Sequence, residues 1–148
     1  HQAAGGLQGR VAVVVVSAAA AFIQFRESIV MSETLRIYHN ARCSKSRAAC
    51  ALVREQGVEP EVVEYLKSPP SRSELAELLR KLGMPAVSIV RKGEDIYKSE
   101  YQGRELNEEQ WLDAFVKHPI LIERPIVVRG ERAVVARPPE RVLELLRD

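Results

Sequence analysis

The sequence has few cysteines and little net charge. Two cysteines in 148 residues exclude a disulfide-stapled secreted scaffold, because a chain of this length buries enough apolar surface without such bridges. The balance of 22 Lys+Arg against 20 Asp+Glu leaves a net charge of +2. That charge is too small for the long-range field on which non-specific nucleic-acid binding depends. We therefore expect one globular domain without a nucleic-acid partner.

The sequence also lacks an apolar run long enough to cross a membrane. Residues 11–23 form one apolar run, interrupted only by Ser17. As a helix they would rise about 20 Å, short of the ~30 Å hydrocarbon core of a bilayer. Arg10 and the alanines at 18–21 match a secretory signal only weakly. We interpret residues 1–30 as an extension outside the fold, and residues 31–148, which begin at Met31, as the folded domain.

The domain begins with alternating strand and helix patterns. Residues 35–38 and 61–66 have strand patterns, and a helix from Ser44 to Gln56 lies between them. Ser71 and Gly83 are typical start and stop signals of a second helix. This β-α-β-α order favours a parallel strand pair with a right-handed crossover. The predicted inward face of the first helix consists of Ala48, Cys50, Ala51, Leu52 and Val53.

The second half contains a helical insert and a hairpin. After a polar stretch expected at the surface, Asn107 caps a helix. Strand patterns at 124–128 and 133–136 flank a turn and predict an antiparallel hairpin, followed by a final helix from Pro139. This order predicts an α/β fold, a thioredoxin-like mixed sheet flanked by helices, with the insert between its βαβ and ββα halves. The predicted apolar face of the insert helix is Trp111, Leu112, Phe115 and Val116.

Cys43 is the candidate nucleophile. It follows a strand and directly precedes a helix, next to Arg42, Lys45 and Arg47. Free amide N–H groups, the helix dipole and basic neighbours all lower the pKa of a thiol in that position. The same donors can hold an oxyanion.

The other cysteine cannot assist Cys43 as a disulfide partner. Cys50 follows seven positions later on the same helix, about 10 Å along its axis, whereas bridged Cα atoms lie within about 7 Å. Its apolar neighbours predict a core residue. Ser46 occupies the position where a C-x-x-C motif has its second thiol. Any adduct on Cys43 must therefore be resolved by a thiol from another molecule.

Metal and oxyanion sites compete for some of the same residues. His39 and Cys43 could share a metal ion, but no second ligand pair follows, so we expect no metal. Arg124 begins one hairpin strand and Arg137 ends its partner, which makes them expected neighbours at one sheet edge. Guanidinium groups placed there can bind a tetrahedral oxyanion.

Over residues 33–146 the sequence resembles the glutaredoxin-coupled arsenate reductase family, thioredoxin-fold enzymes that reduce arsenate to arsenite. The resemblance rests on the segments 37–40 with Cys43, 65–66 with 69–75, 82–83, 90–92 and, above all, 118–128.

The resemblance implies roles for individual residues. It implies Cys43 as nucleophile and His39 as the group that assists its thiolate. It implies Arg91, Arg124 and Arg137 as the oxyanion-binding arginines, with further substrate contacts from Ser46 and Arg47. Pro125 would be the cis-proline beside the active cysteine. Glutathione is the implied co-substrate and glutaredoxin the partner of a cytoplasmic monomer without a bound cofactor.

The active-site loop departs from the family pattern and leaves alternatives open. This chain has Cys43-Ser44-Lys45-Ser46-Arg47 where arsenate reductases have Cys-Gly-Thr-Ser-Arg. One alternative is a thiol oxidoreductase of the same family that acts on another substrate. A second is a redox regulator of the Spx type that binds RNA polymerase, although such regulators usually have C-x-x-C. A thiol phosphatase is disfavoured, because its C-x5-R spacing does not match Cys43 and Arg47.

Overall fold

The computed structural model describes residues 34–147, and the predictions for residues 1–30 lie outside them. The described chain begins with β1 (Leu35–His39), α1 (Ser44–Glu55), β2 (Glu61–Glu64) and α2 (Arg72–Leu82). The insert contains 3₁₀ helices Ala86–Ile89 and Pro119–Leu121, a π-helix Tyr97–Tyr101 and α3 (Glu108–Lys117). The last elements are β3 (Ile126–Arg129), β4 (Arg132–Val135) and a 3₁₀ helix Pro139–Leu145.

The four strands form one mixed sheet in the order β2-β1-β3-β4. β1 pairs with β2 in parallel and with β3 antiparallel, so Ile37 lies opposite Val62 on one side and Val127 on the other. The β3–β4 hairpin pairs Val127 with Val134. The predicted thioredoxin-like mixed sheet flanked by helices is confirmed.

Two apolar cores lie on opposite faces of this sheet. Alternation along the strands sends Ile37 and Val127 to one face, with Cys50 of α1 and the last 3₁₀ helix. Tyr38 and Ile126 point to the other face, which α2 and the insert cover. The sheet therefore holds α1 on one side and the insert on the other. No helix among residues 34–147 is long and apolar enough to cross a membrane.

Helix caps follow the sequence signals closely. The Ser71 hydroxyl accepts a hydrogen bond from the Glu74 N–H, and Gly83 ends α2 with φ +68°, a conformation that glycine adopts without strain. The Glu74 carboxylate accepts from the Tyr38 hydroxyl. Asn107 and Gln110 form a complete box at the start of α3.

Two predicted burial faces are wrong in part. On α1 the buried residues are Ser46, Ala49, Cys50 and Val53, whereas Ala48 and Ala51 are exposed. Residues 50 to 53 are consecutive, and a 3.6-residue period cannot place them all on one face. For the same reason Val116 is exposed beside buried Phe115.

Two further segments contain features that the sequence patterns did not predict. The polar stretch before Asn107 lies mostly at the surface, as predicted, but it contains the π-helix, whose Tyr101 is buried with its ring 5.8 Å from that of Trp111. The strand predicted over 61–66 ends at Glu64, because the Glu64 carbonyl accepts from the N–H groups of Lys67 and Ser68 in a turn.

Candidate active site

Cys43 is the N-cap residue of α1. Its backbone is extended, with φ −95° and ψ 121°, and its carbonyl accepts the first helical hydrogen bond, from Arg47 N–H at 3.1 Å. The Cys43 N–H donates to the Asn40 carbonyl at 2.9 Å, which closes the loop after β1. The side chain is partly exposed. The thiol thus lies where a capping oxygen commonly lies, beside the free N–H groups of a helix start.

The surroundings of Cys43 stabilise its thiolate. Partial burial opposes ionisation, but the backbone N–H groups of Ser46 and Lys45, the Ser46 hydroxyl and the Arg124 guanidinium outweigh it. Together they lower the pKa of Cys43 to about 7. Near neutral pH about half of the thiol is therefore the nucleophilic thiolate.

Arg124 and Arg137 meet at the edge where β3 begins and β4 ends, as predicted. Arg137 Nη1 donates to the Arg124 carbonyl at 3.0 Å and lies 3.9 Å from Cys43 Sγ. The Arg124–Pro125 peptide bond is cis, which confirms the expectation for Pro125. The hairpin therefore brings both arginines to the nucleophile.

Arg124 is buried, with 7% of the residue's surface exposed. Its Nη1 donates to the Ile120 carbonyl at 3.4 Å, a long contact, and its Nε has no hydrogen-bond partner among residues 34–147. A buried cation with an unused Nε donor, beside a thiolate, has the chemistry of an anion-binding group.

Arg91 reaches this region through a short pairing of two loops. Val90 and Ile122 form an antiparallel bridge, the Arg91 N–H donates to the Leu121 carbonyl at 2.7 Å, and the Glu123 N–H donates to the Ile89 carbonyl at 2.8 Å. Arg91 is thereby aligned with Glu123.

Sequence reasoning missed Glu123. Its Oε1 accepts from Arg91 Nη1 at 2.6 Å and from the Arg124 N–H at 3.3 Å, and it lies 3.5 Å from Arg137 Nη1. The signal was a carboxylate directly before Arg124. Its significance depends on the long-range approach of Arg91 and Arg137, which sequence spacing does not show.

His39 contacts Cys50 in the structure. Its Nδ1 lies 3.6 Å from Sγ of Cys50, which follows it by 11 residues and belongs to α1. Burial lowers the pKa of His39, opposed by Glu64, and Arg47 and Arg54 lower it further. The role of His39 as the assisting group of Cys43 stays a prediction. Cys50 itself is a buried core residue, as predicted, and burial raises the pKa of its thiol.

The two remaining candidates, Ser46 and Arg47, form hydrogen bonds with the backbone of the active-site loop. Ser46 is fully buried, and its Oγ accepts from the Asn40 N–H at 3.3 Å. Arg47 Nη1 donates to the Ala41 carbonyl at 2.7 Å. Asn40, a second residue that sequence reasoning missed, accepts the Arg42 N–H on its side-chain oxygen at 3.0 Å. These bonds fix the loop that presents Cys43.

A cleft of about 460 Å³ opens beside the loop and includes Arg124 in its wall. Its other lining residues are His39, Asn40, Ala41, Arg42, Glu64, Leu66, Lys67 and Ile120. Within residues 34–147, no three His, Cys, Asp or Glu side chains are grouped as metal ligands would be.

Comparison with known proteins gives consistent similarities. A model of the ArsC family matches residues 38–145. The uncharacterized protein YfgD of Escherichia coli (strain K12) is 48% identical over 118 residues, which cover 78% of this chain and 99% of that protein. An arsenate reductase of Neisseria meningitidis serogroup B is 42% identical over 76% of this chain and 97% of its own length. The solved arsenate reductase of Vibrio cholerae is 44% identical, covers 76% of this chain and 97% of its own, and superposes with a TM-score of 0.72.

Proposed function

Because this chain belongs to the ArsC family, we propose that it reduces arsenate to arsenite through an adduct on Cys43. The observation that supports this most directly is the 3.9 Å approach of Arg137 Nη1 to Cys43 Sγ, next to the buried Arg124. A thiolate and an arsenate anion repel one another, and guanidinium groups placed between them offset that repulsion.

The first step forms a sulfur–arsenic bond. The Cys43 thiolate attacks arsenic, and an arsenate hydroxyl takes up one proton from the solvent and leaves as water. Arsenic remains in the +5 state in this adduct. Arg91, Arg124 and Arg137 bind the remaining oxygens, and the N–H groups at the start of α1 add further donors. Ser46 and Arg47 keep the loop in the conformation that presents the thiolate.

The second stage transfers two electrons. Glutathione displaces a hydroxyl of the adduct as water and forms a second sulfur–arsenic bond. A glutaredoxin thiolate then attacks the glutathione sulfur, so that a glutathione–glutaredoxin disulfide forms, the electron pair of the broken sulfur–arsenic bond stays on arsenic, and arsenic passes from +5 to +3. Water then displaces Cys43 from arsenic, which restores the thiol and releases arsenite. No bound cofactor takes part in this scheme.

The need for an external thiol is supported by the position of Cys50. Cys50 is buried in the core between α1 and the sheet, in contact with His39. The position three residues after Cys43 is a serine, Ser46. Glutathione and glutaredoxin require a reducing compartment, so the proposed location is the cytoplasm.

An arsenite-release assay with reduced glutathione and glutaredoxin tests the proposal. We expect turnover in the wild type, its loss in Cys43→Ser, and its retention in Cys50→Ala, which removes the other thiol. Omission of glutathione should also stop turnover. Unchanged turnover in Cys43→Ser would rule the mechanism out.

A further inference from the structure

One oxygen atom, Glu123 Oε1, connects the three candidate oxyanion-binding arginines. It accepts from the Arg91 side chain at 2.6 Å and from the Arg124 backbone at 3.3 Å, and Arg137 Nη1 lies 3.5 Å away. The same Arg137 nitrogen lies 3.9 Å from Cys43 Sγ. Arg137 Nη1 is thus close to both the Glu123 carboxylate and the sulfur of the nucleophile.

From this geometry we infer that Glu123 is a specificity-determining residue, which selects oxyanions that carry a hydroxyl and rejects fully deprotonated ones. The inference rests on the proposed function, since it concerns the oxyanion that the arginines bind.

The chemical reason is that an ionised carboxylate only accepts hydrogen bonds. Arsenate and phosphate keep at least one hydroxyl at neutral pH and can donate it to Glu123, while their other oxygens accept from the arginines. Sulfate has no hydroxyl, so its oxygens would face the carboxylate as like charges. A site that requires a hydrogen bond from its ligand strongly rejects an analogue that lacks the donor.

The burial of the cluster strengthens this selection. The side chains of Arg91 and Glu123 are 22% and 25% exposed, and that of Arg137 is 30% exposed. Water can therefore only partly screen an unfavourable contact between sulfate and Glu123. A purely structural ion pair would hold Arg91 equally well but would not separate sulfate from phosphate.

Glu94 provides a matched control. Its Oε2 accepts from Arg91 Nε at 3.2 Å, and its side chain is as exposed as that of Glu123. Among the ion pairs of the described residues, Glu94 is joined to Arg91 alone, whereas Glu123 is joined to both Arg91 and Arg137. A Glu94→Gln substitution removes a carboxylate from the same arginine and leaves the proposed selector in place.

The experiment measures protection of Cys43 from alkylation by iodoacetamide, with arsenate, phosphate or sulfate as the added anion at constant ionic strength. In the wild type we expect arsenate and phosphate to protect at concentrations about tenfold or more below that of sulfate. In Glu123→Gln the amide can donate to sulfate. The ratio of the protecting concentration of sulfate to that of phosphate should therefore fall about tenfold. Glu94→Gln and the carboxylate-preserving Glu123→Asp should keep the selectivity.

Each result decides the inference. Equal protection by sulfate and phosphate in the wild type overturns it, and so does a ratio unchanged in Glu123→Gln or lowered equally in Glu94→Gln. Phosphate is not reduced, so the measurement is independent of turnover. Selective protection without arsenite release would contradict the proposed reductase activity but would still support the role of Glu123.

Discussion

Arg137 reaches Cys43 across 94 positions of the chain, with Nη1 3.9 Å from Sγ. The same nitrogen donates to the Arg124 carbonyl, so the hairpin edge that orients one arginine also supports the other. The nucleophile caps α1, whereas Arg124 and Arg137 lie just outside β3 and β4. The contributions of the thiolate, of its local hydrogen-bond donors and of the distant arginines can therefore be measured separately by mutation.

The reactivity of Cys43 should follow a titration with a midpoint near pH 7. Its folded-state pKa is lowered to about 7, so the thiolate fraction and the alkylation rate fall as the pH drops through that value. Cys50 should react much more slowly, because it is buried and its pKa is raised. Iodoacetamide labelling followed by peptide mass spectrometry measures both rates. A Cys43 midpoint near the ordinary value of about 8.5 would contradict the proposed stabilisation of the thiolate.

Replacement of Ser46 by alanine should raise the pKa of Cys43, because the hydroxyl is one of the donors that lower it. The change also leaves the Asn40 N–H without its acceptor, at a cost of about 1–3 kcal/mol. Alkylation rates against pH and urea unfolding measure the two effects. Ser44→Ala, at an exposed position of the same loop, should change neither.

Loss of the Arg124 side chain should weaken the binding of arsenate. We expect Arg124→Ala to raise the arsenate concentration for half-maximal turnover by about tenfold or more, since charge-assisted bonds to the anion are lost. Arg124→Lys keeps the charge but not the fork of donors and should recover only part of the effect. Steady-state kinetics of arsenite release test this. The control is Arg72→Lys, a partly exposed residue of α2 that forms ion pairs with α3, and an arsenate dependence unchanged in Arg124→Ala would exclude the oxyanion role.

Neighbouring substitutions on α3 should differ strongly in their effect on stability. Phe115 is 1% exposed and Val116 is 46% exposed. Phe115→Ala should lower the free energy of unfolding by about 3–5 kcal/mol through the cavity it leaves. Val116→Ala should change it by only about 0.5 kcal/mol. Urea unfolding monitored by circular dichroism compares them, and similar losses in both variants would contradict the observed orientation of α3.

Local signals predicted the elements well because the forces behind them are local. Ser71, Gly83 and Asn107 mark helix ends through hydrogen bonds and backbone conformations within a few residues. The approach of Arg124 to Arg137 was also predictable, since antiparallel pairing brings the start of one hairpin strand to the end of the other.

The parts of the site that sequence reasoning missed depend on distant packing. Glu123 meets Arg91 across 32 positions only because the Val90–Ile122 bridge aligns their loops. His39 meets Cys50 because α1 packs on the face of β1 from which that histidine projects. The faces of α1 and α3 were misjudged for a different reason: runs of apolar residues conceal the 3.6-residue period that determines which of them is buried.

The order of the elements along the chain has a consequence for biosynthesis. Cys43 is made 94 residues before Arg137, which corresponds to about 5–20 s of translation. During that interval the nascent chain has the thiol but not the guanidinium groups of the hairpin. The full anion site therefore forms only after Arg137 has been synthesised and the hairpin has joined the sheet.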